Sequence, residues 1–144
     1  MLRSLAFVPI LLTVAAVSCN GPRATSEVRA AATGEPFTLA LGESVEVAGH
    51  SLRFVDVAED SRCPIGATCV WEGRAKVTLS ASGPDGPEDR HVLTLPYSAM
   101  TDDESDTWEV GGLTVHLRDL RPFPEADRPA DPQPEVELSV SATD

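Results

Sequence analysis

Basic side chains are scarce in this chain. Ten Arg and a single Lys, Lys76, stand against 23 Asp and Glu in 144 residues, a formal net charge of −12. Nucleic-acid binding rests on Lys and Arg neutralising phosphates, so a phosphate-binding surface is excluded as the main business. A long apolar run is also missing: Leu5 to Val17 is interrupted by Pro9 and Thr13. That is too short for a hydrocarbon core of ~30 Å, which needs about 20 apolar residues. No window repeats with a helical period, and 12 Pro with 10 Gly argue against helices. Cysteines number three, and none pair at the two-residue spacing of redox sites or zinc knuckles.

What is present is globular. Hydrophobic residues make up 42% and charged residues 24%, and the length suits one domain. Residues 1–18 read as an export signal: Arg3 supplies a positive start, Leu5 to Val17 the apolar stretch, and Ala16-Val17-Ser18 the small residues before a cut at Cys19. An ordinary signal peptidase accepts Ala16 and Ser18. Ala16-Val17-Ser18-Cys19 also resembles the lipobox of bacterial lipoproteins, although Leu is commoner where Ala16 stands. That resemblance implies a diacylglyceryl thioether on the Cys19 sulfur, cleavage before it and acylation of the new amine. Cysteine parity favours the lipoprotein reading, because lipidation uses Cys19 and leaves one pair, Cys63 and Cys69. In Gram-negative lipoproteins Asn20 in second place does not signal inner-membrane retention, which implies the outer membrane, facing periplasm or cell surface. Residues 19–36 then form the lipidated Cys and a flexible tether, and residues 37–144 a β-domain.

From Phe37 the dominant period is two. Phe37, Leu39 and Leu41 alternate with Thr38 and Ala40, and Val45 and Val47 flank Glu46. Leu52 and Phe54 share one side of the next run. Trp71 to Ala81 alternates without interruption and reads as the clearest half-buried strand. A strand starting near Arg90 points Leu93 and Leu95 inward. Trp108 to Val110, Gly111-Gly112 and Leu113 to Leu120 read as a hairpin with a tight turn. After a proline-rich crossover, Arg121 to Pro134, the run Val136 to Ala142 makes a last strand paired in the sheet. Seven or eight short antiparallel strands predict an all-β sandwich or small barrel.

The most distinctive stretch is Asp60-Ser61-Arg62-Cys63-Pro64-Ile65-Gly66-Ala67-Thr68-Cys69-Val70-Trp71-Glu72-Gly73. In an exported chain the two cysteines are expected to form a disulfide closing a loop between strands. Pro64 and Gly66 bend the loop to bring them within range. Closing about seven residues stabilises the fold by roughly 2–2.5 kcal/mol in the chain-entropy view. The pattern Asp60 to Pro64, Cys69, Trp71, Gly73, Ala75 and Val77 resembles an uncharacterised family of exported bacterial β-domain proteins. Leu52 and Phe54, Leu113 to Pro124 and the last strand fit the same layout over most of residues 37–142, though only the Cys-centred stretch is specific. That family often opens its last strand with Tyr, where this chain has Glu135-Val136. The resemblance brings no activity with it.

Other candidates are weaker. Asp102, Asp103, Glu104 and Asp106 are dense enough to suggest calcium. Thr107 stands where an EF-hand needs Gly and Leu113 where it needs Glu, so a solvated loop is the default. His50, His91 and His116 have no nucleophile or carboxylate at a motif spacing, so no catalytic residue is assigned. Trp71 has the parity of Val77 and Leu79 and is expected in the core, with Arg62 or Arg74 at its edge. Trp108, beside the acidic loop, is expected partly exposed at an edge, and for both tryptophans core or edge packing is favoured over a ligand platform. Arg62 and Trp108 are therefore the candidates for a binding surface.

These readings converge on a non-catalytic, lipid-anchored β-domain of the bacterial cell envelope. It is expected to be monomeric and free of cofactor, with the membrane as one partner and an envelope protein as another. The alternatives are an envelope protease or lysozyme inhibitor, and, further off, a calcium-binding or enzymatic protein.

Overall fold

Apolar and polar side chains alternate along most of this chain, so each strand can bury one face, and two sheets packed face to face satisfy that demand. The computed structural model describes residues 29–84, 86–96, 101–129 and 133–143. The leader, Cys19 and the first part of the expected tether lie outside the described residues. Nine strands form: β1 (Arg29–Ala30), β2 (Phe37–Ala40), β3 (Ser44–Val47), β4 (His50–Asp60), β5 (Ala75–Ser82), β6 (Asp89–Leu95), β7 (Thr107–Val110), β8 (Leu113–Arg121) and β9 (Glu135–Ala142). One sheet runs β1-β3-β4-β5-β6 and the other β2-β9-β8-β7. They do not close into a barrel; the sandwich is the correct member of the expected pair.

The core between the sheets is built from the predicted inward positions. Val45, Phe54, Val77 and Leu79 of the first sheet and Leu39, Val115, Leu117, Val136 and Leu138 of the second form one cluster, all essentially without solvent contact. Burying each such side chain contributes about 1.5–3 kcal/mol. Two bulges in β4 and one in β8 reset the alternation. The β8 bulge lets Leu117 and Leu120 face the core from the same side, although three positions separate them. The hairpin β7–β8 turns at Gly111-Gly112 with φ of 58° and 78°, the double left-handed conformation of a type I′ turn.

Two expectations are corrected. Residues 29–36 do not behave wholly as a tether: β1 pairs in parallel with β3, Arg29 opposite Val45, and the Gly34 N–H donates to the Val140 carbonyl at 2.7 Å. A two-residue strand held by backbone groups has no side-chain period to betray it. The strand read from Trp71 begins only at Ala75, because residues 61–74 form a separate loop. Consequently Trp71 is 74% exposed, whereas Trp108 is 6% exposed and packs in the core under a stacked His91 ring at 5.5 Å. Packing, expected of both tryptophans, holds for Trp108, more deeply than the edge position expected, and fails for Trp71.

A disulfide-closed loop at one end of the sandwich

The β4–β5 connection continues the hairpin beyond the sheet. Ser61 N–H donates to Arg74 O at 2.7 Å and Cys63 N–H to Glu72 O at 2.9 Å, two further rungs. The rungs need close backbone approach at Gly73, where φ is +72° and a Cβ would lie 1.8 Å from Ser61 O. Only glycine meets both conditions. Beyond the rungs, Cys63 and Cys69 are joined by a disulfide, with Cα atoms 6.0 Å apart. The Ala67 N–H donates to Pro64 O across the bend that this bridge closes.

Arg62 fixes the loop to the rest of the molecule. Its side chain is buried, with Nε and Nη2 donating to the two Asp60 carboxylate oxygens at 2.8 and 2.7 Å. Nη1 donates to Leu120 O at 2.7 Å and Nη2 also to Pro122 O at 3.1 Å. The guanidinium lies 4.7 Å over the Phe123 ring, not against Trp71. Phe123 thus pins the proline-rich crossover to the body. One residue on, Ile65 N–H donates to Pro124 O and Ala126 N–H to Ile65 O, at 2.9 and 3.0 Å. A buried cation with five donors in a fixed fork suits this multiple anchoring, which Lys cannot reproduce.

The loop so held presents apolar side chains to solvent. Val70 is 90% exposed and Ile65 62%, beside Trp71. A cleft of about 320 Å³ runs along its base between Arg62, Phe123, Glu125 and Arg128. Of the residues singled out in the sequence, Arg62, Cys63 and Cys69 come together here, while Trp108 does not. Arg62 and Trp108 are both buried, so neither offers an open surface of its own. Alternation does not single out Val70 and Ile65; their place inside the Cys63–Gly73 stretch, before the glycine that ends the loop, is the available signal.

The acidic segment is organised differently from a metal cage. Glu104 turns inward: it pairs with Lys76, accepts from Arg74 Nη1 at 3.0 Å and accepts the Thr101 N–H at 2.9 Å. The Lys76 ammonium first, and then the Thr101 N–H, hold its carboxyl down to about 2. Glu59 completes the cluster through Arg74 Nε at 3.3 Å, its carboxyl lowered chiefly by the Ser61 hydroxyl, with Arg74 assisting. Asp103 accepts from the Thr101 hydroxyl at 2.6 Å, while Asp102 is exposed. Glu104 therefore ties residues 101–106 to Lys76 of β5 and to Arg74 just before it, and among the described residues no three His, Cys, Asp or Glu side chains are gathered to hold an ion.

The histidines stand on three separate strands. His50 Nδ1 lies 3.3 Å from Ala48 O at the β3–β4 turn, His91 stacks on Trp108, and His116 sits on β8 opposite Ser139. Among the described residues, none hydrogen-bonds a nucleophile or a carboxylate. Comparison with known protein families, curated proteins and solved structures returns no match.

Proposed function

We propose that this chain is a non-catalytic, lipid-anchored β-sandwich of the bacterial cell envelope whose working surface is the disulfide-closed β4–β5 loop. The observation that carries the reading is the combination in that loop of tight anchoring and apolar exposure. Arg62, Gly73 and the Cys63–Cys69 bridge immobilise a segment whose most prominent side chains, Val70 and Trp71, contact little else. A protein that holds apolar groups rigidly in water keeps them for an encounter, because ordering them beforehand lowers the entropy cost of binding. The disulfide belongs to an oxidising compartment, in agreement with the export signal. Inhibition of an envelope hydrolase is the second reading, supported by the same rigid loop, which is the form such inhibitors present.

The anchor is tested by growing cells with radiolabelled palmitate. Label in the wild-type chain, lost in Cys19→Ala, is expected, together with no free thiol in the labelled protein. An unlabelled chain bearing a free Cys19 thiol overturns the anchored reading. The surface is tested with a photo-crosslinking residue at position 71 and, as control, at position 92 of β6: envelope-specific adducts are expected from 71 alone.

A further inference from the structure

We infer that the Cys63–Cys69 bridge is a redox latch: thiol–disulfide exchange at the Cys69 sulfur frees residues 68–71 and ends the ordered display of Val70 and Trp71. The sandwich and the base of the loop stay folded throughout. The inference rests on the reading of this loop as the working surface and adds its regulation by a dithiol reductant.

Three observations lead to it. The first is how unevenly the loop is held. On the limb that leaves β4, the Ser61 and Cys63 N–H groups form the two rungs, and Arg62 reaches Leu120 O and Pro122 O. Ile65 donates to Pro124 O and accepts from the Ala126 N–H. The returning limb has nothing comparable. Among the described residues, Thr68, Val70 and Trp71 form no hydrogen bond, and between Ala67 and Glu72 the Cys69 sulfur is the single bonded attachment. Val70 and Trp71, the most exposed apolar side chains, stand on this limb.

The second observation is the short reach of the bridge. It spans six positions within one hairpin and joins neither the two sheets nor distant strands. A ring this short restricts the unfolded chain least, and none of residues 61–74 contributes to the hydrophobic core. Opening the bridge therefore leaves the fold intact. What it frees is the limb that carries Val70 and Trp71.

The third is the unequal exposure of the two cysteines. Cys69 is exposed and Cys63 half-buried. Exposed bridges are the ones that reductants open, and a substrate of exchange needs no two-residue spacing of its own. A reductant thiolate attacks Cys69 Sγ and forms a mixed disulfide there. The Cys63–Cys69 bond breaks, and its electron pair leaves on Cys63 Sγ, which takes a proton from solvent. That sulfur lies 4.0 Å from both Pro64 O and Ala67 O, so the new thiol has acceptors in place. The reductant's second thiolate then displaces Cys69, leaving two protein thiols and an oxidised reductant.

The experiment uses the isotope-labelled chain from Cys19 onward, which keeps all nine strands, with the Cys19 thiol blocked by iodoacetamide. Backbone order parameters are read by NMR in the oxidised chain, after dithiothreitol, and in the double variant Cys63→Ala, Cys69→Ala. Val70 and Trp71 are expected near about 0.85 when oxidised and below about 0.6 in the other two states, with Ser61 holding its value. A limb that stays rigid without the bridge overturns the inference. Loss of order at Ser61 overturns it too, since the bridge then staples the whole loop.

The chemical step is read with thioredoxin lacking its second active-site cysteine, quenched in acid. The adduct is expected on Cys69 of the tryptic peptide Cys63–Arg74, and an adduct on Cys63 overturns the assignment. In cells, crosslinks from position 71 should fall at least about fivefold in the double variant, because the partner must then order the limb itself. Undiminished crosslinks overturn the regulation. Absence of crosslinks from the oxidised chain removes the working surface instead and leaves the NMR result standing, so the two failures are distinguishable.

Discussion

The Arg62 guanidinium and the Asp60 carboxylate, two residues apart at the end of β4, meet through two parallel hydrogen bonds of 2.8 and 2.7 Å. The remaining Arg62 donors reach Leu120 O and Pro122 O, so this ion pair joins the disulfide loop to β8 of the other sheet. Arg62→Ala leaves Asp60 without its cation and two carbonyls without a donor. Asp60 is solvated on its outer side, so a loss of about 1–3 kcal/mol is expected, the scale of hydrogen-bonded groups left unpaired, measured by urea unfolding monitored at Trp108. Arg62→Lys should recover only part of it, because a point charge cannot serve Asp60, Leu120 and Pro122 together. A change under about 0.5 kcal/mol, the scale of an ordinary surface substitution, would show that the network is idle.

Gly73 tests the geometry of the loop base. An alanine Cβ there collides with Ser61 O at 1.8 Å, on a backbone of φ +72°. Gly73→Ala should cost at least about 2 kcal/mol, the order of a left-handed non-glycine residue together with a displaced backbone. Amide hydrogen exchange should locate the damage at Ser61 and Cys63, whose N–H groups form the two rungs. Alanine at Gly42, where φ is +83° but nothing lies within 4 Å, is the control for strain alone.

Acid should weaken the tie between β5 and residues 101–106. Glu104 has an ordinary carboxyl value of 4.5 and is held at about 2 in the folded chain, chiefly by Lys76. A carboxyl depressed on folding stabilises fully above its unfolded value, and the contribution drains away as pH falls through the folded one. The melting temperature is therefore expected to drop between about pH 4.5 and pH 2, the interval bounded by those two values. Glu104→Gln should lower it at pH 7 and flatten the acid slope. The slope will not vanish, since Glu59 and Asp103 are lowered in the same direction.

The two tryptophans should respond oppositely to truncation. Trp108→Ala opens a core cavity and is expected to cost about 3–5 kcal/mol. Trp71→Ala removes an exposed ring and should stay within about 0.5 kcal/mol. Iodide quenching of each single-tryptophan variant checks the assignment, with Trp71 open to the ion and Trp108 shielded.

Much of the fold is legible without coordinates because period-two alternation is local. Leu113, Val115 and Leu117 reveal their inward face from their own spacing, and Gly111-Gly112 announces its turn. The Cys63–Cys69 pair is legible for a similar reason, six residues apart with Pro64 and Gly66 between. Glu104 could not be read in that way. Its neighbours Asp102 and Asp103 advertise a solvated loop, and its cations come from Arg74 and Lys76, about 30 positions earlier.

By itself, then, the sequence determined the strands that alternate, the turns that glycine allows and the bridge between near neighbours, all interactions within a few residues of chain. Tertiary structure decided which tryptophan is buried, that Arg29 and Ala30 join a sheet and that Arg62 spans the two sheets. These depend on long-range register. A bulge or an extra hairpin rung shifts the parity of everything beyond it, and no local pattern records where the partner strand begins.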